Sequence, residues 1–438
     1  MSATAPTFKK GQAWLVTIIS ILCSLVVAMV TFKAISTAPL MMQYFGVGIA
    51  EYGSVTGIVG ALAIVGAIPS GIALAKMGPR RLMILIMVIS IISTFLQIIM
   101  INAGASFVAF MAVGGLGAFV YGMWTVNGPM LVTAWFPAEK RGLPNSISTA
   151  WVSVAMMIIL LVSTPLFMIA GIDPSTGTVN PYGFIYVWWM IAILLIISLI
   201  LCLIFVRMPK PENSFLEAAP QAEGQKKAKF SDGLKLPAVW MLIIMFLVYG
   251  FITAAYGNYY PTYLNSPVEQ SGLGMDLGSA NLLSSVTTYV MLAMNFIWGF
   301  VLNKIPNKGY GVLNLVISIL TGLVGIAMFN MPNVGIVAPY LIIYGIVSQM
   351  YPPVCFAMLP EVVDSPEQLS AGMGVLAIFS NLAGVMATIL VGIVQGAFGT
   401  WQSLTLLMVI FTIATIVAAL VFMGIYRKKF AQKHAELA

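Results

Sequence analysis

Apolar runs long enough to cross a bilayer recur through the 438-residue chain. Helix rises 1.5 Å per residue, so about 20 residues span a hydrocarbon core about 30 Å thick. The runs cover roughly 14–41, 52–75, 82–102, 107–134, 145–170, 183–207, 238–263, 278–302, 310–330, 335–358, 369–396 and 401–426. Lipid offers backbone groups no partner, so each run must satisfy its own hydrogen bonds, and helices do that. The expectation is an all-α membrane protein with twelve transmembrane helices.

Composition agrees. The chain is 60% hydrophobic and 8% charged, where soluble domains carry about 25% charged residues. A net charge of +7 therefore reads as basic loops at a membrane surface and not as a nucleic-acid footprint. Cys23, Cys202 and Cys355 all fall in apolar runs, which argues against disulfides and against a cysteine metal site. The first run is far longer than the apolar core of a cleaved signal peptide, so it is read as a retained span.

The basic residues orient the spans. Nineteen of the 20 Lys and Arg fall in alternate loops and tails, among them Lys9, Lys10, Lys76, Arg80, Arg81, Lys140, Arg141, Lys304, Lys308 and Arg427. The opposite loops hold Glu51, Asp173, Glu269 and Asp276. By the positive-inside rule both termini are cytoplasmic, and the expected location is a bacterial inner membrane. A polar stretch at 208–235 reads as a linker between six-helix bundles at 1–207 and 236–438. The two halves repeat. Tyr121-Gly122, Pro129 and Pro137 recur 223 positions later as Tyr344-Gly345, Pro352 and Pro360. Gly71, Lys76 and Arg80 recur 228 positions later as Gly299, Lys304 and Lys308. Six spans is an even number, so the repeats are parallel, which is one of the transporter architectures.

On these residues the chain resembles the major facilitator superfamily. The stretch Gly71-Ile-Ala-Leu-Ala-Lys76-Met-Gly78-Pro-Arg80-Arg81 looks like that superfamily's signature between spans 2 and 3. The resemblance implies that Gly71, Lys76, Gly78, Arg80 and Arg81, with Asn303 and Lys304 in the second half, gate the inner side. The acidic residue usual in that signature is replaced by Ala75, and its second-half counterpart by Asn303, so the inner latch is expected to be weaker or built differently. Pro39-Leu40 with Tyr44-Phe45-Gly46-Val47, and Trp135-Phe136-Pro137 with Lys140-Arg141-Gly142, are similar to the oxalate/formate antiporter and monocarboxylate transporter branches. The basic residues that oxalate antiporters place in spans 8 and 11 have no counterpart here.

Lys33 is the one basic residue inside an apolar run. An ammonium at mid-membrane costs roughly 2.5–3.5 kcal/mol or more, so a buried lysine calls for a use or a rescue. Two readings stand: a snorkelling side chain, or a counter-ion for a carboxylate. Span 1's repeat partner, span 7, carries Tyr249, Thr253, Tyr256 and Tyr260 at i, i+4, i+7 and i+11, a single helical stripe. In the superfamily spans 1 and 7 line the cavity, so this stripe is expected to face substrate. Tyr121, Trp124 and Asn127 in span 4, Thr287 in span 8, Tyr344 and Ser348 in span 10 and Asn381 in span 11 complete the candidate substrate-binding set, each weighed against a role as interhelical glue.

No Asp, Glu or His falls within a run, so a carboxylate or imidazole proton relay is not expected. No clustered set for catalysis is present either, and neither a metal nor another cofactor is expected. The sequence is therefore read as a monomeric secondary transporter moving a small organic anion through the bilayer by alternating access, with exchange as the favoured mode. Proton-linked monocarboxylate symport and a non-transporting solute sensor are the alternatives.

Overall fold

A computed structural model describes residues 9–124, 131, 132, 134–137, 144, 151–172, 179–209, 236–302, 304–363 and 366–435. Among these, twelve helices are long and apolar enough to cross a membrane. Spans 1 to 6 are Lys10–Ser36, Ile49–Ser70, Lys76–Asn102, Phe107–Trp124, Trp151–Ala170 and Pro181–Phe205. Spans 7 to 12 are Pro237–Asn265, Leu277–Asn295, Tyr310–Ala327, Val334–Val362, Ile378–Phe398 and Trp401–Gln432. The β structure among the described residues is one isolated bridge, Ile172 to Val179. The chain clusters into two compact units, Met1–Val47 with Ile58–Gln225, and Gly48–Gly57 with Lys226–Ala438. Most of 208–235 lies outside the described residues.

In the first unit, span 1 is the central helix, packed on spans 4, 5 and 6. Fifteen of its residues are buried, Lys33 included. Span 1 stops short of its expected end. The helix closes at Ser36, Thr37 leaves helical geometry at φ −117° and ψ 6°, and a second short helix, Ala38–Phe45, begins with Pro39 in its first turn. Proline has no N–H to continue the ladder and its ring crowds the preceding turn, so the break belongs there. Gly46 closes the short helix in the left-handed conformation at φ 65°. Spans 2 and 4 meet through glycine. A Cβ on Gly66 would strike the carbonyl oxygen of Phe119, and one on Gly122 that of Ala63. Backbones approach this closely only where side chains are absent.

The helices of spans 2 and 3 meet at Gly78, whose φ 75° and ψ 162° are not helical. Pro79 then starts the next helix from a backbone position that favours glycine. Glu51, read as a loop residue from the sequence, sits instead in the first turn of a helix.

In the second unit span 7 packs on spans 8, 11 and 12, with spans 9 and 12 and spans 8 and 10 also paired. Its inner core gathers Val239, Leu242, Phe246, Cys355, Leu359 and Phe422. The outward face of span 12 is wholly aliphatic: Leu406, Ile410, Ile413, Val417 and Leu420 are all exposed. That is the surface a helix presents to lipid.

Candidate functional site

Lys33 does not snorkel. It is 3% exposed and its Nζ donates to Oε1 of Gln97 in span 3 at 2.9 Å. The ammonium also lies 4.7 Å from the ring centroid of Trp188 in span 6, where the negative face of the indole attracts a cation. The Trp188 indole N–H donates to the same Gln97 oxygen at 3.0 Å, and Gln97 Nε2 donates to the Phe110 carbonyl in span 4 at 3.3 Å. Gly114 leaves the room: a Cβ there would lie 2.5 Å from Gln97 Nε2. The cluster thus ties span 1 to spans 3, 4 and 6, and its charge is met by one neutral acceptor and one aromatic face.

The backbone of the same residue is engaged as well. Its carbonyl accepts from Ser36 Oγ at 3.2 Å and Thr37 Oγ1 at 2.8 Å. Hydroxyl bonds of this kind, to a carbonyl three or four residues back, also occur within span 1, from Thr17 to Ala13 and from Ser24 to Ser20. Ser36 Oγ shares a 2.7 Å hydrogen bond with Ser163 Oγ in span 5. Phe45 packs at a tilt on Phe110 and Phe184, and Phe184 meets Trp188 edge to face with centroids 5.2 Å apart. Gln97 and Trp188 were not among the residues the sequence singled out.

In the second unit the tyrosine stripe of span 7 meets a matching stripe on span 10. Tyr249 stacks on Tyr351 with centroids 5.1 Å apart and planes 6° from parallel. Tyr256 packs on Tyr344 at 4.4 Å and Tyr260 on Tyr340 at 5.9 Å. The two helices run antiparallel, so positions 249, 256 and 260 descend against 351, 344 and 340. This is a zipper of three ring pairs, beside which Tyr249 and Thr253 stay partly exposed. Tyr340 and Tyr351 were missed, although span 10 carries them at the same helical spacing. Two hydroxyls leave the zipper for backbone carbonyls: Tyr256 donates to Ser284 at 2.8 Å and Tyr340 to Val324 at 2.9 Å. The hydroxyls of Tyr260 and Tyr344 are buried with no hydrogen-bond partner. A buried hydroxyl left unpaired costs about 1–3 kcal/mol.

Beside the zipper, the partly exposed arc of span 7 between 249 and 258 carries Tyr249, Thr253, Ala254, Gly257 and Asn258. Nothing lies within 4 Å of a Cβ built on Gly257. Asn258 Nδ2 donates to Thr388 Oγ1 of span 11 at 2.7 Å, and Asn381 of span 11 is exposed. Small and polar residues on this arc contrast with the aliphatic outer face of span 12.

The other candidates scatter. Trp124 is buried and its indole N–H donates to Ser24 Oγ at 2.9 Å. Half-buried Tyr121 meets Phe32 and Trp151 edge-on, at 6.4 and 6.1 Å. Thr287 donates to the Leu341 carbonyl at 3.3 Å and Ser348 to the Gly345 carbonyl at 3.3 Å, so both hydroxyls are used between or within helices. Asn127 and Asn303 lie outside the described residues. Around the span 2–3 connection Gly71 is helical, Lys76 and Arg81 are exposed, as is Lys304 after span 8, and Arg80 Nη2 donates to the Leu203 carbonyl at the end of span 6 at 3.0 Å. No cluster of three or more His, Cys, Asp or Glu is placed to hold a metal among the described residues.

Twelve apolar helices and a buried polar interior define a helical, multi-pass membrane transporter. The chain belongs to the Major Facilitator Superfamily, whose family model matches residues 20–272 and 266–437. It is 26% identical over 378 residues to the glucose transporter GlcP of Staphylococcus epidermidis, covering 77% of this chain and 78% of that one. Among solved structures, a bacterial homologue of the human lysosomal transporter Spinster superposes with a TM-score of 0.72 at 15% identity, covering 97% of this chain and 98% of the other. A D-xylose-proton symporter gives 0.71 at 17% identity, over 93% and 97% of the two chains. At such identities these structures share the fold. The narrower likeness to the oxalate/formate and monocarboxylate branches rests on motifs alone.

Proposed function

We propose that this alternating-access transporter carries a small, neutral, hydroxylated solute of the sugar class. The observation that carries the reading is the span 7 arc. A half-exposed stretch of membrane helix bearing Tyr249, Thr253, Gly257 and Asn258 suits a watered path better than lipid. Aromatic bodies with polar tips suit a ligand that is apolar on its ring faces and rich in hydroxyls. The membrane interior of spans 7 to 12 holds no charge, since Glu361, Arg427, Lys428 and Lys429 lie at helix ends. The relationship to a glucose transporter supports the same class. In this reading Tyr249 and Asn381 contact solute, the unpaired hydroxyls of Tyr260 and Tyr344 accept its hydrogen bonds when the zipper opens, and the Gly71–Arg81 loop gates the inner side.

A second reading, exchange of a small organic anion, is favoured by Lys33. It is the one charge away from the helix ends, and the described residues give its ammonium one hydrogen-bond acceptor. A thermal-shift panel of sugars, polyols and small carboxylates on the purified protein separates the two. Hydroxylated solutes are expected to stabilise the wild type and to lose that effect in Gly257→Trp, which fills the open space on the arc. Stabilisation by carboxylates alone, abolished in Lys33→Gln, would establish the anion reading in its place.

A further inference from the structure

We propose that Lys33 is the proton-binding site of this transporter, placed at the break in span 1 so that one proton changes how the outer end of that helix is held. The proposal rests on the neutral-solute reading above, in which Lys33 makes no contact with the solute.

Buried lysines are ordinarily paired with a carboxylate, because an uncompensated charge out of water is expensive. Here the partners are the Gln97 amide oxygen at 2.9 Å and the Trp188 ring at 4.7 Å, both neutral. From span 3 the facing group is Gln97 and from span 6 it is Trp188, while the Phe110 carbonyl and Gly114 of span 4 meet Gln97 and Ser163 of span 5 meets Ser36. Three titratable side chains on spans 1, 4 and 6 are engaged elsewhere. Cys23 donates to the Ser198 carbonyl two to three turns inward, with Cys202 beside it, and Tyr121 meets Phe32 and Trp151. No acid among the described residues fixes the amine in its charged form.

The cluster is also built to survive a change of charge. On release, one N–H bond of the ammonium breaks, the electron pair stays on Nζ, and the proton passes to water on whichever side the site is open. Trp188 keeps its bond to Gln97 Oε1, and Gln97 keeps its bond to the Phe110 carbonyl. What is lost is the cation's hold on Gln97 and on the indole face. That hold acts one turn before the break, where the Lys33 carbonyl receives Ser36 and Thr37 and Ser36 reaches Ser163. Charge on the side chain and freedom of the Ala38–Phe45 segment are thereby joined in one residue.

Trp188 supplies a readout that needs no substrate. Its emission reports the cation beneath its ring, so the wild-type fluorescence is expected to show a pH-dependent step that is absent in Lys33→Met and in Trp188→Phe. In liposomes, wild-type uptake is expected to respond to an imposed pH gradient, and Lys33→Met is expected to lose that response. Lys33→Arg, which keeps the charge permanently, should also lose it, and it serves where the Met variant does not fold. A gradient response that persists in either variant, or a wild-type emission step unaffected by Lys33→Met, overturns the proposal. Absence of uptake for every solute tried, with the Trp188 step intact, would count against the transport reading and leave the proton site standing.

Discussion

Asp276 shows how much one side chain can organise at a membrane surface. It caps span 8: the Ser279 N–H donates to its carboxylate at 2.8 Å and the Ala280 N–H to its carbonyl at 2.9 Å. Hydrogen bonding from Ser279 holds the carboxyl below its usual range. A carboxylate depressed in the folded protein adds stability above its unfolded value of about 3.9, and that stability disappears as pH falls through the folded value. Asp276→Ala is expected to cost about 1 kcal/mol at neutral pH, with the gap to wild type narrowing in acid, as thermal unfolding at the two pH values would show. Lys33 was conspicuous in the sequence because a charge within an apolar run has few explanations. Gln97 and Trp188 were not, since their bonds to one another and to Lys33 join residues 91 and 64 positions apart. Periodicity along one helix carries no information on such contacts.

Helices were legible where the pattern is local. Twelve apolar runs, the repeat of Tyr-Gly and Pro between spans 4 and 10, and the glycine before Pro79 all register in the order of residues. The tyrosines of span 7 do share a face, as their spacing required, but a stripe says nothing of its partner. The matching stripe on span 10 pairs with it ring by ring. The break at Thr37 depends on one proline, and a continuous apolar run hides it. Crossings of spans 2 and 4 give a sharper test at this scale. Gly122→Val places a side chain against the Ala63 carbonyl with nowhere to move, and overpacking of this kind costs typically about 1–3 kcal/mol. Lower melting temperature and reduced membrane yield are expected, while Gly257→Val, which meets nothing within 4 Å, should be neutral by the same measurements.

For the whole molecule, the distribution of basic residues predicts a topology that can be read from either side of the membrane. Cys23, Cys202 and Cys355 are buried, so the native thiols are expected to stay silent toward an impermeant maleimide. Single cysteines at Lys9 and Lys308 should then react from the inner side, and those at Glu51 and Glu269 from the outer side. Labelling of Lys9→Cys and Glu51→Cys from the same side would reverse the positive-inside assignment.

The scarcity of charge in the spans has an electrical consequence. A carrier feels the membrane potential only through charges that its cycle moves, at about 2.3 kcal/mol per elementary charge per 100 mV. Away from the helix ends, Lys33 is the one basic or acidic side chain this chain places in that field. Solute-for-solute exchange of neutral molecules through such a carrier generates no current, whereas uptake accompanied by a proton held at Lys33 does. The current carried per solute would therefore report the protonation cycle of a single amine.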